Sequence, residues 1–171
     1  MDDAAADPTH PNVAAVIAAA AVAGLDVVPA EFPDGTRTAA DAAAAVGTDV
    51  ACIVKSLVFR VVGGEHGNRL VLALVGGADR LDEARLAAAA GGERSERVDA
   101  DVVREATGYP IGGVPPFGHP APLPTWVDDA LLEQDEVWAA AGTPRHVFPV
   151  APQALVDATG ATVAVLRVEV G

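Results

Sequence analysis

Apolar and polar positions along the chain fall into two periods, which predict helices and strands in a definite order. From Ile53 to Val62 the period is two: Ile53, Lys55, Leu57, Phe59 and Val61 share one face, and Val54, Ser56, Val58, Arg60 and Val62 share the other. Short β-branched runs bounded by turn residues, "RLVLALV", "PTWV", "EVWAAA", "HVFPV" and "TVAVLRVEV", predict further strands. "GGEHGN" predicts a hairpin connection after Val62. Helices announce themselves by their ends. An alanine-rich segment from Asn12 to Gly24 has Asn12 as its predicted cap, and Thr38 precedes "AADAAAAV" with Asp41 in capping-box position and Gly47 as the stop. Asp79 and Asp99 are predicted to open two more helices, and Pro152 stands early in a last one, where its missing N–H is harmless. Strands cluster instead of alternating strictly with helices. The expected class is therefore α/β of the α+β type: a mixed, mostly antiparallel sheet with surrounding helices.

Length and composition narrow this picture. A chain of 171 residues makes one domain, 1–171, with residues 1–11 expected as a flexible tail; such a domain buries roughly 70% of the surface its unfolded chain exposes. Aromatics are scarce and alanine is abundant, so the core must be aliphatic. Twenty-four acids against eleven bases give a net charge of −13, which repels polyanions at long range. That excludes a broad phosphate-tracking surface and argues against DNA as a partner, but leaves room for close contact with one end of a nucleic acid. Cys52 is the sole cysteine, so neither an internal disulfide nor a cysteine metal cluster can form. The acidic start "MDDAAADPTHPN" does not resemble a secretory signal, and the run from Val13 to Leu25 is too short to span a bilayer. The cytoplasm is the expected compartment, without a membrane partner.

Two segments carry candidate chemistry. Lys55 is the only lysine beside ten arginines, and it interrupts an apolar row. A buried, unpaired ammonium would lose its charge or destabilise the fold, so its head must reach water, an acid or an anionic ligand. Snorkelling to the strand edge and facing a ligand both satisfy that requirement. The second segment, "GYPIGGVPPFGH" from Gly108 to His119, holds four glycines and three prolines. It describes a stiff loop whose main chain can approach a ligand closely, or a structural crossover. The four histidines, His10, His66, His119 and His146, lack metal-ligand spacing, and no Ser/His/Asp grouping is visible. No metal or organic cofactor is called for. Cys52 reads as a small buried hydrophobe.

Taken together, "IVKSLVFRV", "TGYPIGGVPPFGH" with its Gly-x-x-x-Pro unit from Gly112 to Pro116, "DEVWAAAGTPRHVF" and "GTRTAADAAAAVG" resemble the YbaK-type aminoacyl-tRNA deacylases. The editing domain inserted in bacterial prolyl-tRNA synthetases has the same fold. The resemblance runs from about Val27 to Val168. It implies hydrolysis of the ester joining a wrong, small amino acid such as cysteine or alanine to the 3′ end of proline tRNA. The partners it implies are a mischarged tRNA acceptor end and prolyl-tRNA synthetase. In that family the matching lysine is required, which makes Lys55 the principal site residue. The loop glycines Gly112 and Gly113 are then expected to offer main-chain amides to the substrate carbonyl. Thr38, Ser56, Pro116, Gly118, His119, Asp128 and Gly142 are the expected substrate-binding residues. For Thr38 and Asp128, helix capping is the simpler reading, for His119 surface placement is the alternative, and His146 is expected to be structural.

Three function classes remain open at this point. A free-standing trans-editing hydrolase is the leading one. A non-catalytic module that keeps the pocket and binds an aminoacyl-tRNA or a synthetase is the second, and an esterase for another acyl adenosine compound is the third. Selectivity in the first would come from a pocket that admits a small side chain and refuses the proline ring.

Overall fold

The computed structural model of the chain describes residues 10–32 and 38–169. Residues 1–9 of the expected tail, and 33–37, of which 35–37 open the "GTRTAADAAAAVG" stretch, lie outside the described residues. Five helices are seen among the described residues: α1 (Pro11–Val22), α2 (Ala39–Val46), α3 (Glu83–Ala89), α4 (Ala100–Thr107) and α5 (Pro152–Thr159). The same residues hold eight strands, β1 (Ala30–Glu31), β2 (Val54–Val62), β3 (Arg69–Gly76), β4 (Arg94–Arg97), β5 (Thr125–Asp128), β6 (Val137–Ala140), β7 (His146–Val150) and β8 (Thr162–Ala164).

The strands form two sheets where the pattern suggested one. A five-stranded sheet has the order β4-β2-β3-β5-β8, and a three-stranded sheet the order β1-β7-β6. Four of the six pairings are antiparallel, while β3–β5 and β5–β8 are parallel. The mixed, mostly antiparallel α/β class is therefore as expected. One face of the large sheet, with Val54, Val58, Leu72 and Leu74, packs against α1, α4, α5 and the small sheet through Val16, Val103, Leu155 and Phe148. The opposite face, with Phe59, Val61, Val71 and Val75, is covered by α3 through Leu86 and by Leu166 of the C-terminal segment. A third cluster seats α2 beside Phe32, Ile53 and Val147.

Capping follows local chemistry, with two displacements. Thr38 Oγ1 accepts from Asp41 N at 3.1 Å, Asp99 caps α4, and Gly47 ends α2 in the left-handed region. Helix α1 is capped by His10, whose Nδ1 accepts from Asn12 N at 3.1 Å; Asn12 lies inside the first turn and donates its side chain to Gly142 O at 2.8 Å. Residues 10 and 11 are thus part of the folded unit. Helix α3 begins after Asp82, not Asp79. The main chain of residues 80–82 is taken by the C-terminal segment instead, with Val168 N donating to Arg80 O and Asp82 N to Leu166 O, both at 2.7 Å. Asp82 Oδ1 then accepts from Ala84 N and Arg85 N.

Candidate functional site

A gap beside β2 creates the site. Among the described residues on the side away from β3, β4 pairs with β2 only from Phe59 onward, and β6 touches it at a single bridge, Ile53 to Trp138. Residues 54–58 lie between these two attachments. Ile53 O accepts from Gly77 N on the β3 side, so by alternation Val54, Ser56 and Val58 turn their main-chain N–H and C=O groups the other way. The open edge of the strand thus floors a cleft of about 560 Å³ in which every residue from Ile53 to Phe59 is represented. That volume falls within the range of small-molecule sites.

The two walls of the cleft differ in character because β2 is pleated. On the face shared by Lys55 and Leu57, the wall is charged: Arg80, Glu83 and Arg97 line it. On the face shared by Val54, Ser56 and Val58, it is apolar: Val103, Ile111 and Val114 line it. Phe32, Thr38 and Trp138 lie toward the small sheet and α2.

Lys55 is half-buried, and its Nζ donates to the main-chain carbonyl of Asp79. The register brings this about: Lys55 stands opposite Val75, so the turn leaving β3 at Gly76 folds back beside the lysine head. Burial lowers the Lys55 pKa from the ordinary 10.5, and the charge of Asp79 opposes that shift only in part. Ser56 Oγ is buried and has no hydrogen-bond partner among the described residues. Thr38 lines the cleft while its hydroxyl caps α2. Gly112 lines it from the far rim at φ +86°, the third position of a turn closed by Gly113 N donating to Pro110 O at 2.9 Å. A positive φ there is the type II signature that favours glycine.

The remaining expected residues are not brought to the cleft. Gly113 spends its amide in that turn, so it is not free for a substrate; a Cβ there would stand 2.7–2.9 Å from the Thr143 main chain, which makes it a close-packing glycine. Pro116 is buried in the loop, and Gly118 packs against Ala19. His119 Nε2 lies 2.8 Å from Pro115 O and must carry the ring proton to bond there; burial lowers its pKa, so the ring is a neutral clamp within the loop. Gly142 receives α1 through Asn12. Asp128 is fully buried at the end of β5, and its carboxylate accepts from the main-chain N–H of Ala130, Leu166 and Arg167 and from the Arg167 guanidinium. It fastens the C-terminal segment to the sheet.

Arg80, Glu83 and Arg97 were not singled out by the sequence pattern. Arg80 could have been found from the hairpin register, which returns the chain after β3 to the lysine. Arg97 lies on "RSER", whose strand has no apolar alternation. Arg97 Nε and Glu83 Oε2 are 3.5 Å apart at an exposed site. Among the described residues, three bases therefore meet one acid at the cleft, a local reversal of the overall charge. No group of three potential metal ligands occurs among the described residues. Cys52 Sγ contacts Gln134 Oε1 at 3.4 Å, away from the cleft lining.

Comparison with known proteins gives this geometry a lineage. The sequence profile described as "Aminoacyl-tRNA editing domain" matches residues 33–158, which include Lys55, Ser56 and the Gly112 turn. The chain belongs to the aminoacyl-tRNA editing domain family. Among curated relatives, "Uncharacterized protein YwhH" of Bacillus subtilis is 30% identical over 125 residues, 73% of this chain and 76% of that one. "Putative Cys-tRNA(Pro)/Cys-tRNA(Cys) deacylase EbsC" of Enterococcus faecalis is 29% identical over 122 residues, 71% and 72% of the two chains. A crystal structure described as "a putative trans-editing enzyme for prolyl tRNA synthetase" superposes with a TM-score of 0.84 at 45% identity, covering 93% of this chain and 98% of that one. The editing-domain fold is thus shared over nearly the whole length. Among the described residues, no helix is long and apolar enough to cross a membrane.

Proposed function

We propose that this protein is a trans-editing hydrolase, which cleaves the ester of proline tRNA mischarged with a small amino acid such as cysteine or alanine. The observation that carries the reading is Lys55: a half-buried ammonium on the open edge of a strand, beside two arginines, in a chain that is otherwise strongly acidic. Such a cleft suits a ligand with a negative group at one end and an apolar group at the other. Its volume matches a terminal nucleoside with a small acyl group and excludes a duplex stem. The tRNA body stays outside, where the net charge of −13 disfavours extended contact.

Chemically, an ester bonded to a ribose oxygen is already activated and needs positioning and charge stabilisation more than a strong nucleophile. Lys55 gives up its bond to the Asp79 carbonyl and turns to the substrate, where an ammonium about 4 Å from a developing oxyanion gains roughly 4 kcal/mol at an effective dielectric of about 20, before desolvation. Water adds to the ester carbonyl and passes a proton to the neighbouring ribose hydroxyl, which hands its own proton on to the 3′ oxygen. The C–O bond then breaks, and the 3′ oxygen leaves as a hydroxyl. When the misplaced residue is cysteine, its thiol can attack in place of water: the C–S bond closes a thiolactone, the same C–O bond breaks, and the thiol proton goes to the 3′ oxygen. The described lining residues supply no histidine, and their one carboxylate, Glu83, is held near Arg97, so the base is assigned to the substrate. The rival reading, a binding module without turnover, draws on that same lack of a protein base.

The test is a panel of proline tRNA charged with alanine, cysteine, serine or proline. Release of one small amino acid with proline spared supports editing. Saturable binding without release supports the module, and indifference to all four removes both readings. Adding prolyl-tRNA synthetase to the reaction tests whether it acts as a partner.

A further inference from the structure

The deacylase reading leaves one polar atom unexplained. Ser56 Oγ is buried on the apolar wall with no partner among the described residues, flanked along β2 by Val54 and Val58 and paired across to the fully buried Leu74. None of these side chains can bond it, and alanine would pack there without stranding a hydroxyl. A buried polar group without a partner destabilises the free protein, so its presence points to a partner that arrives with the ligand.

The chemistry of an aminoacyl ester identifies that partner by elimination. Phosphate and ester carbonyl are acceptors and are served by Lys55, Arg80 and Arg97, which only donate. The α-ammonium only donates and is repelled by those cations. Of the described residues that line the cleft, three carry a side-chain oxygen acceptor: Thr38, Ser56 and Glu83. Thr38 Oγ1 already accepts from Asp41 N, and Glu83 lies among the arginines with Arg97 3.5 Å away. Ser56 projects from the opposite pleat face to Lys55, and its own main-chain carbonyl turns toward the cleft.

We propose that Ser56 is the receptor for the free α-ammonium of the substrate, its hydroxyl and outward carbonyl accepting from the same nitrogen. The inference rests on the deacylase reading and adds a specificity to it: the site recognises aminoacyl esters with an unblocked amine and discriminates against N-acylated ones such as peptidyl-tRNA. The hydrolase then spares chains in elongation.

The experiment compares proline tRNA carrying an alanyl ester with the same tRNA carrying a propionyl ester, which lacks only the amine. Wild type, Ser56→Ala and Ser56→Thr are assayed. Wild type is expected to cleave the alanyl ester with a kcat/KM at least 10-fold higher than the propionyl ester. Ser56→Ala is expected to lose roughly 10- to 100-fold on the alanyl ester alone, the ratio for one hydrogen bond to a charged group. Ser56→Thr keeps the hydroxyl and is expected to retain the preference. Equal losses on both esters, or none on either, would overturn the assignment. In parallel, the three proteins are titrated with the amide-linked analogues 3′-alanylamino- and 3′-propionylamino-3′-deoxyadenosine. If wild type cleaves neither ester, the deacylase reading fails, and the ratio of analogue affinities still decides the role of Ser56: a wild-type preference for the alanyl analogue that Ser56→Ala abolishes supports it, and equal affinities refute it.

Discussion

Replacing Asp128 with alanine separates a structural carboxylate from a substrate-binding one. The side chain is wholly buried, and it accepts from Leu166 N at 2.7 Å, Arg167 N at 3.1 Å, Ala130 N at 3.2 Å and Arg167 Nη1 at 3.1 and 3.2 Å. Truncation strands the main-chain N–H of the buried Leu166, at about 1–3 kcal/mol for an orphaned donor. It also breaks the pair with Arg167, for which losses of about 3–5 kcal/mol are typical when both charges are buried. Arg167 retains 27% side-chain exposure and a second acid, Asp129, so water and that neighbour recover part of the loss. The net expectation is about 3–4 kcal/mol. For a chain of this length that lowers the melting temperature by roughly 6–16 °C. The assay is thermal melting monitored by circular dichroism, beside deacylation measured well below both transitions. Deacylation should stay within about twofold of wild type, because Asp128 does not line the cleft. A melt within 2 °C of wild type, or a tenfold loss of rate in fully folded protein, would refute the reasoning.

Other consequences follow from the same contacts. The Gly113→Ala variant places a Cβ 2.7–2.9 Å from the Thr143 main chain, so it should lose about 1–3 kcal/mol and show weakened substrate binding as the neighbouring Gly112 turn shifts; urea denaturation and KM measure both. The pH profile of kcat/KM should carry an alkaline limb below 10.5, since burial lowers the Lys55 pKa and only the protonated head stabilises negative charge. The same shift bears on stability with a definite sign: the unfolded chain binds the proton more tightly than the folded one, so the penalty is fully present below the lowered pKa and fades as pH rises toward 10.5. A Lys55→Met variant should abolish that limb and lose this gain in stability with rising pH.

Much of the architecture was legible because it follows from local rules. The alternation through β2, the caps at Thr38 and Asp99 and the stop at Gly47 each depend on a few adjacent residues, and each is found. What local rules cannot supply is competition from distant segments. Asp79 and Asp82 are both competent caps, and the choice is made by the C-terminal segment, which occupies the main chain of residues 80–82. Strand β4 has no apolar period because it lies at an edge, where Ser95 bonds Glu83 O and Arg60 lies 3.8 Å from Glu96; pairing with β2 alone defines it. The candidate site divides in the same way. Lys55, Ser56, Thr38 and Gly112 come together at the cleft, whereas Gly113, Pro116, Gly118, His119 and Gly142 shape or fasten the loops behind it. A glycine needed for close packing and one needed beside a ligand leave the same letter in the sequence. Arg80 and Arg97 reach the site through the sheet register, which a one-dimensional pattern does not contain.

The central claim is that the Lys55 ammonium holds negative charge in the cleft while contributing little to the fold. Single-turnover deacylation of mischarged proline tRNA by Lys55→Ala, with melting followed on the same preparation, tests it most directly. The account predicts a rate at least 100-fold below wild type, with a melting temperature equal to or slightly above it, since a desolvated charge has been removed. A variant that keeps the wild-type rate, or one that loses activity only because it unfolds, would contradict it.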